Sequence, residues 1–176
     1  MIRRRLASLL AAYETSDPIE AAHLARMRSL AAAPGDPFDR TAPAHFTAGG
    51  FVTDGSRLLV VFHDGLRRWL QPGGHVEPED ADPEAAARRE VAEETGLRGL
   101  DLLVHGLFDV DIHAVDHGGF AHEHFDLRFL FGWQGGAPRP GDGVSAVRWA
   151  DLDDLARLGA DSSLLRPARR ALAGGS

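Results

Sequence analysis

Apolar residues at the start of the chain recur with the period of an α-helix. They are Ile2, Leu6, Leu9, Leu10 and Tyr13. A second helix is predicted to begin at Asp17-Pro18, where a capping side chain precedes a proline, and to end near Ala32. The Pro and Gly residues within 34–37 break this helix. We therefore expect residues 1–40 to form a helical hairpin that packs on a core domain of residues 41–176.

Alternation of apolar and polar residues predicts a β-sheet in the remainder of the chain. The predicted strands are residues 46–53, 57–63, 100–113, 122–133 and 145–149. Asp54-Gly55 between the first two strands is a strong hairpin signal. The third and fourth strands are expected to form another antiparallel pair.

Helices are predicted over about 83–95, 151–158 and 163–172, with Pro167 tolerated only near a helix start. The first of them is predicted to begin at Asp82-Pro83, where a capping side chain precedes a proline. The Gly- and Pro-rich residues 134–143 are expected to form a surface loop. Strands and helices mixed in this order predict an α+β fold, an α/β/α sandwich around a mixed sheet.

Three glutamates share one face of the helix predicted over 83–95. Glu90, Glu93 and Glu94 stand at i, i+3 and i+4, which makes their side chains neighbours. They lie in the last two turns before the stop at Gly96, where the helix dipole disfavours each anion by about 0.3–1 kcal/mol. Repulsion adds roughly 0.2–0.5 kcal/mol per neighbouring pair. A divalent cation would offset this free energy, and carboxylate oxygens suit Mg²⁺ or Mn²⁺.

Residues beside the three glutamates support a metal site. Arg89 can reach Glu93 at i+4 and hold that carboxylate in position. Upstream, Pro72-Gly73-Gly74 permits positive φ and a close approach of the backbone to a ligand, so that a carbonyl such as that of Gly74 would complete the site. The alternative interpretation of the glutamates alone is a solvated, charge-rich helix face.

Together these residues resemble the Nudix box, the strand-loop-helix-loop signature of hydrolases that cleave nucleoside diphosphates linked to another moiety. Gly74 takes the place of the first glycine of the box. The residues that match its second half are Arg89, Glu90, Val91, Glu93, Glu94, Gly96 and Leu97. The first half departs from the family pattern, because Asp80 stands where the family has Glu and eight residues, not seven, separate it from Arg89. The extra residue should lengthen the loop without moving the glutamates.

The resemblance implies a fold, a reaction and a set of site residues. A Nudix domain would extend over about residues 46–158 and have the sandwich architecture. It would be a metal-dependent pyrophosphohydrolase that holds Mg²⁺ or Mn²⁺ on Glu90, Glu93 and Glu94. Glu90 or Glu93 would act as general base, and Arg89 belongs to the same catalytic group. The implied substrate is a nucleoside diphosphate derivative or a nucleoside triphosphate.

Titratable residues alternate along the two strands that are expected to pair. They are Asp109, Asp111 and His113 on one strand, and His122, His124, Asp126 and Arg128 on the other. With a symmetric turn over 115–120, the facing pairs would be His113 with His122, Asp111 with His124, and Asp109 with Asp126. Facing aspartates would favour the charged forms of the histidines.

This polar face is expected to line the substrate cleft or to supply extra metal ligands, since His suits Mn²⁺ or Zn²⁺. The alternative is the wet side of a half-exposed sheet. The residues predicted to bind substrate, drawn from this face and from the glycine loop, are His75, Asp111, His122, His124 and Asp126.

Composition narrows the function classes. The 176-residue chain has a net charge of −7, which argues against a nucleic acid polymer or an anionic membrane as partner. It has no cysteine, which excludes disulfides and thiolate metal sites. An isopentenyl-diphosphate isomerase, which has a related fold, would also need a cysteine. No stretch is long enough to span a membrane, and we expect a cytoplasmic protein.

A non-catalytic Nudix-like nucleotide-sensing module is the alternative to an enzyme. The complete set of glutamates disfavours it, because a pure binder has no need of a metal site that costs stability. The expected partner is a small-molecule nucleotide or diphosphate substrate. A homodimer is compatible with the sequence, which does not determine the oligomeric state.

Overall fold

The computed structural model describes residues 2–117 and 119–173 of the chain. Within these residues the helices are α1 (Ile2–Ala12), α2 (Pro18–Ala32), α3 (Pro83–Thr95), α4 (Leu152–Arg157) and α5 (Ser162–Leu172). The strands are β1 (Ala44–Thr53), β2 (Leu58–His63), β3 (Arg68–Leu70), β4 (Gly73–His75), β5 (Asp101–Leu102), β6 (Asp109–His117), β7 (Phe120–Gly132) and β8 (Val144–Ala150).

The described strands form one mixed sheet with β1 at its centre. β1 runs parallel to β7 and antiparallel to β4. The main path of the sheet is β3-β2-β1-β7-β5, and β6 and β8 pair antiparallel with β7 and β2. The predicted α+β fold with a mixed sheet is therefore confirmed.

Two hydrophobic clusters cover the faces of the sheet and complete the sandwich. One cluster joins α1, α2 and α3 to Phe46 and Ala48 of β1. The other joins α4 and α5 to Phe51, which points to the opposite side because side chains alternate along a strand. α3 lies very close to β1, since a Cβ on Gly50 would be 2.6 Å from Cγ2 of Val91.

Buried polar contacts also connect the N-terminal helices to the sheet. Asp17 caps α2 by accepting hydrogen bonds from the N–H groups of Ile19 and Glu20. Glu20 is fully buried, and its carboxylate accepts from the Tyr13 hydroxyl and from Arg170 of α5. The two helices thus share both apolar and ionic contacts with residues far along the chain.

The helix that carries the three glutamates is held at both ends, as its sequence predicts. Asp82 accepts from the Ala85 N–H at the start of α3, and Gly96 ends the helix with a φ of 73°. Residues 139–142 belong to the predicted surface loop, yet they close the C-terminal end. The donors are the N–H groups of Arg139, Gly141 and Asp142, and the acceptors are the carbonyls of Thr95, Glu94 and Glu93.

Two predicted elements around the sheet differ from the structure. The single strand predicted over 100–113 is wrong, because Gly106, with a φ of 91°, lies in a bend that separates β5 from β6. The glycine loop is in fact β4, in which Gly73 and Gly74 pair with Gly49 and Ala48. Glycine serves close packing here, since a Cβ on Gly73 would lie 2.8 Å from Cα of Gly49.

Pro167 lies in the interior of α5 and not near its start, contrary to the prediction. A proline has no N–H to donate to the carbonyl four residues earlier. That carbonyl belongs to Ser163, and it accepts from Nη1 of Arg128 at 2.8 Å instead. A buried arginine thus supplies the hydrogen bond that the proline removes.

The pairing of β6 with β7 is shifted by two residues from the predicted register. Both strands continue towards the turn, and His117 pairs with Phe120, so the turn is shorter than 115–120. The facing pairs are Asp109 with Arg128, Asp111 with Asp126, His113 with His124, and Val115 with His122. Because the shift is an even number of residues, the same side chains still share one face.

Candidate active site

Glu90 and Glu94 project from α3 towards the two glycines of β4. The Gly73 N–H donates to Oε2 of Glu94 at 3.2 Å. A Cβ on Gly74 would lie 2.7 Å from the carboxyl carbon of Glu90, so only glycine leaves room for this carboxylate. The structure therefore brings two of the three predicted glutamates against the glycine strand, whereas Glu93 is more exposed and contacts Arg89.

The guanidinium of Arg89 organises the same face of α3. Its Nη1 donates to Glu90 at 2.8 Å and to Glu93 at 2.9 Å. Its Nε and Nη2 donate to the two oxygens of Asp80 at 3.1 and 3.0 Å, and Nη2 also donates to the His75 carbonyl at 2.8 Å. Because all three nitrogens contact protein acceptors, Arg89 fixes the positions of its neighbours. Asp80 reaches it from the lengthened loop.

Burial makes two of the three glutamates reluctant to ionise. Burial, with the charges of Glu90 and Glu93, raises the pKa of Glu94 to about 8. Burial also raises the pKa of Glu90, although the guanidinium of Arg89 opposes the change. Glu93 is different, since its side chain is 43% exposed. A cation beside Glu90 and Glu94 would favour both carboxylates and reverse the two shifts.

A cleft of about 170 Å³ opens beside β4, and four of the predicted site residues line it. These are Gly74, His75, His124 and Asp126. A neighbouring cavity of about 370 Å³ is lined by His122 together with His75 and His124. The predicted substrate contacts therefore meet at two adjoining spaces, with the exception of Asp111.

Asp111 belongs to a buried ion cluster centred on Arg128, whose exposed fraction is 1%. The guanidinium acceptors are Asp126 at 2.8 Å, Asp109 at 3.0 Å, Asp111 at 3.3 Å, and the carbonyl and hydroxyl oxygens of Ser163, each at 2.8 Å. The wet-face interpretation is wrong here, since all three aspartates are buried. Asp111 also accepts from the Ser163 hydroxyl at 2.7 Å, so its contacts are with the protein interior.

Two further arginines from α5 surround the same cluster. Arg166 and Arg170 donate to Asp109 at 3.1 and 3.0 Å, and Arg170 also donates to Glu20 at 2.7 Å. Burial raises the pKa of Asp109 to about 6 against the attraction of the arginines. For Asp111, the hydrogen bond from His113 and the charge of Arg128 outweigh burial and lower the pKa. Every aspartate of the cluster has at least one guanidinium partner.

Four histidines from four strands surround His124. The ring centroids of His45, His75, His113 and His122 lie 5.0, 5.3, 5.5 and 4.8 Å from that of His124. Burial, followed by the charges of these neighbours, lowers the pKa of His124 to about 3. Burial likewise lowers the pKa of His75 to about 4. The predicted pairing of His124 with Asp111 is wrong, because His124 faces His113, so no facing aspartate favours its charged form.

Sequence reasoning missed His45, Thr47 and Gln71. The Thr47 hydroxyl and the Gln71 amide donate to Asp126 at 3.1 and 3.0 Å. The alternation of β1 held a signal for His45 and Thr47, which share the face opposite to Phe46. No signal pointed to Gln71, which lies between two short strands that the sequence did not predict.

The family model described as NUDIX domain matches residues 43–171. An RNA pyrophosphohydrolase of Bartonella henselae is 41% identical over 128 residues, which cover 62% of this chain and 73% of that protein. The asymmetrical bis(5′-nucleosyl)-tetraphosphatase of Rattus norvegicus is 45% identical over 47 residues, covering 27% of this chain and 31% of that protein. The chain thus spans about a third of the rat enzyme that it matches.

Solved structures agree on the fold. A C. elegans Ap4A hydrolase superimposes with a TM-score of 0.55 at 21% identity, covering 73% of this chain and 98% of that one. The chain belongs to the Nudix hydrolase family, whose members act on pyrophosphate bonds. It is a Nudix-type pyrophosphohydrolase, and Nudix hydrolases generally use divalent metal ions.

In the described part of the chain, no helix is both long and apolar enough to cross a bilayer.

Proposed function

We propose that this protein hydrolyses the diphosphate linkage of a small nucleoside diphosphate derivative or of a nucleoside triphosphate. Mg²⁺ or Mn²⁺ is held by Glu90, Glu93 and Glu94 with the carbonyl of Gly74. The observation that carries the proposal is the buried pair of Glu90 and Glu94, whose pKa values are both raised and which lie against glycines at the edge of a cleft.

The residues at this place suit a hard divalent cation. All the candidate ligand atoms are oxygens, as Mg²⁺ and Mn²⁺ prefer. The charges of Glu90 and Glu94 repel each other. Arg89 donates to Glu90, whereas Glu94 accepts from the N–H of Gly73. A cation would supply the missing positive charge. When bound, it would neutralise phosphate oxygens and lower the pKa of an attacking water.

Residues of the protein position the carboxylates, accept the proton from water and orient the substrate. Arg89 is a positioning residue, since its contacts to Glu90 and Glu93 fix the two carboxylates relative to each other. Either of these glutamates is placed to accept a proton from water as general base. Of the two, Glu93 is the more accessible to solvent, at 43% against 14% for the side chain of Glu90. The cleft residues His75, His124 and Asp126 orient the substrate.

The size and charge of the site favour a small substrate over RNA. The cleft of about 170 Å³ has room for the diphosphate and for little more, so the rest of the substrate lies in the adjoining cavity. The chain has a net charge of −7, whereas binding along an RNA backbone draws on clustered Lys and Arg. One relative is named an RNA pyrophosphohydrolase, which makes a 5′-triphosphorylated RNA the informative competitor.

A hydrolysis screen tests the proposal directly. Initial rates are measured for a dinucleoside tetraphosphate, a nucleotide sugar, nucleoside triphosphates and a 5′-triphosphorylated RNA oligonucleotide, with Mg²⁺, with Mn²⁺ and with EDTA. We expect turnover only with metal, and a kcat/KM at least tenfold higher for one of the small substrates than for the RNA. A preference for RNA would refute the small-substrate proposal, and full activity in EDTA would refute the metal.

A further inference from the structure

His45 is a fully buried histidine, with an exposed fraction of 0%. Within residues 2–117 and 119–173, its ring nitrogen Nε2 has no hydrogen-bond partner. Its other ring nitrogen, Nδ1, lies 3.3 Å from the carbonyl oxygen of Ala42. A carbonyl oxygen only accepts, so this contact places the ring proton on Nδ1 and leaves a lone pair on Nε2. A buried lone pair without a donor costs free energy and calls for an explanation.

The parallel pairing of β1 with β7 places the ring of His45 beside two further histidines. His45 is the register partner of His124, and His122 lies two residues from His124 on the same face of β7. The Nε2 atoms of His122 and His124 are 3.0 Å apart. One ligand nitrogen from each of the three imidazoles lies within 4.8 Å of the other two. Within residues 2–117 and 119–173, His45, His122 and His124 are the three His, Asp or Glu side chains whose ligand atoms lie this close together.

We propose that His45, His122 and His124 form a binding site for a divalent transition metal ion of the Zn²⁺ type. Imidazole nitrogens bind such ions at about 2.0–2.1 Å, and three ligands on a tetrahedral ion are then roughly 3.3 Å apart. The 3.0 Å separation of two nitrogens is close to that spacing, and side-chain rotation brings the third to it. Three protein ligands leave the fourth position open.

The surroundings of the three imidazoles have the features of a metal site. A histidine that binds metal usually donates its second ring N–H to a carbonyl or a carboxylate, as Nδ1 of His45 does to Ala42. The site opens on the larger cavity, which His122 and His124 line.

This site is distinct from the carboxylate site of α3. Its ligands are nitrogens on β1 and β7, whereas the glutamates offer oxygens from α3. Imidazole favours Zn²⁺ and related ions, while carboxylates favour Mg²⁺. Saturating Mg²⁺ should therefore fill the carboxylate site and leave the histidines available. The inference does not depend on the substrate class proposed above.

The test is a titration of the metal-free full-length protein with Zn²⁺ and with Co²⁺, in the presence of excess Mg²⁺. A competing chelator gives the affinity and stoichiometry for Zn²⁺, and Co²⁺ reports nitrogen-rich tetrahedral coordination by strong visible absorption. We expect one Zn²⁺ per chain. His122→Asn and His45→Phe should weaken binding by about 100-fold or more, beyond the usual effect of an outer-shell change. The exposed His105 provides the matched control, and His105→Ala should bind as the wild type does.

Two outcomes would overturn the site. One is a wild-type protein that binds no Zn²⁺ under these conditions. The other is a Zn²⁺ affinity that survives both histidine changes but is lost in Glu94→Gln, which would place the ion on α3. Circular dichroism verifies the fold of each variant, because His45 is buried. If His45→Phe does not fold, His122→Asn and His124→Asn decide the question, since His122 is only half-buried.

Discussion

The molecule buries two groups of carboxylates in opposite ways. Around Arg128, three aspartates are matched by three arginines, and the guanidinium has five hydrogen bonds. On α3, Arg89 contacts Glu90 and Glu93, and the buried Glu94 accepts a hydrogen bond from the N–H of Gly73. The first group is complete without any other molecule. The second holds excess negative charge, which a cation would neutralise.

The contrast shows how a structural ion cluster differs from a site. Burial of an acid is expensive in either case, and a partner of opposite charge must compensate. Where the fold supplies that partner, as with Arg128 and Asp109, the charges hold elements together. Where it does not, as with Glu94, the unfavourable burial of the carboxylate is a feature of a ligand-binding site. Both groups look alike in the sequence.

The largest effect on stability should come from breaking the balanced cluster. Arg128→Met removes a fully buried guanidinium and leaves three buried aspartates with fewer partners. Loss of one member of a buried ion cluster typically costs about 3–5 kcal/mol of unfolding free energy. Urea denaturation measures the change. Arg157→Met is the matched control, because its exposed pair with Asp154 should contribute only about 0–1 kcal/mol. Equal effects of the two changes would contradict the role given to the cluster.

Removal of one charge from the three glutamates of α3 should lower activity without lowering stability. Glu94→Gln keeps the shape of the side chain and removes the charge, so it should lower kcat/KM roughly 100-fold or more at saturating Mg²⁺. The melting temperature without metal should stay the same or rise, because repulsion with Glu90 is relieved. Glu84→Gln, on the first turn of the same helix and paired with Arg88, is the control and should retain activity. Wild-type turnover in Glu94→Gln would refute the metal assignment.

The raised pKa of Glu94 also predicts how this residue makes the unfolding free energy depend on pH. Its ordinary pKa of 4.5 is raised to about 8, so between these pH values the folded protein binds more protons than the unfolded chain. Without metal, the contribution of Glu94 to the unfolding free energy should therefore fall as the pH rises through this window, by at most about 1.4 kcal/mol per unit. His75 and His124, whose pKa values are lowered, contribute in the opposite direction below about pH 6.5, so Glu94→Gln serves as the reference. Mg²⁺ should offset the fall. Thermal melts of the wild type and of Glu94→Gln at pH 6.5, 7.2 and 8 check the slope, and a wild-type stability that does not fall relative to the variant would contradict it.

Local signals in the sequence predicted local structure well. Asp17 and Asp82 cap the two helices that they were predicted to start, and Gly96 ends α3. These positions depend on a few neighbouring residues, whose capping chemistry does not change with the rest of the fold. The mixed sheet and the family follow from the order of elements and from the spacing of the Nudix box.

Features that depend on distant residues could not be predicted in this way. The register of β6 and β7 depends on where their turn is centred. The centre lies one residue later than predicted, and this shift places Arg128 instead of Asp126 opposite Asp109. Two of the partners of Asp109, Arg166 and Arg170, come from α5, far along the chain. His45 meets His124 only because β1 and β7 run parallel. The periodicity of apolar residues along the chain does not show which non-neighbouring strands pair.

The smallest effect should come from Asp80, the residue that departs from the family pattern. Its carboxylate accepts two hydrogen bonds from Arg89, so Asp80→Ala should loosen the guanidinium that positions Glu90 and Glu93. Arg89 keeps its contacts to both glutamates and to the His75 carbonyl, which limits the damage. We expect kcat to fall about tenfold with KM unchanged, a smaller loss than in Glu94→Gln.

Two further changes at this position separate positioning from metal binding. Asp80→Asn keeps one acceptor oxygen for Arg89 and should lose less activity than Asp80→Ala, at the same Mg²⁺ requirement. Asp80→Glu restores the family residue on a loop that is one residue longer, and the added methylene disturbs a bidentate contact that already has good geometry, so it should not raise kcat. If Asp80→Ala instead lowered kcat as far as Glu94→Gln and raised the Mg²⁺ concentration needed for half-maximal rate, Asp80 would belong to the metal shell. The contact to Arg89 would then be secondary, because a positioning residue alters the rate without altering the affinity for the ion.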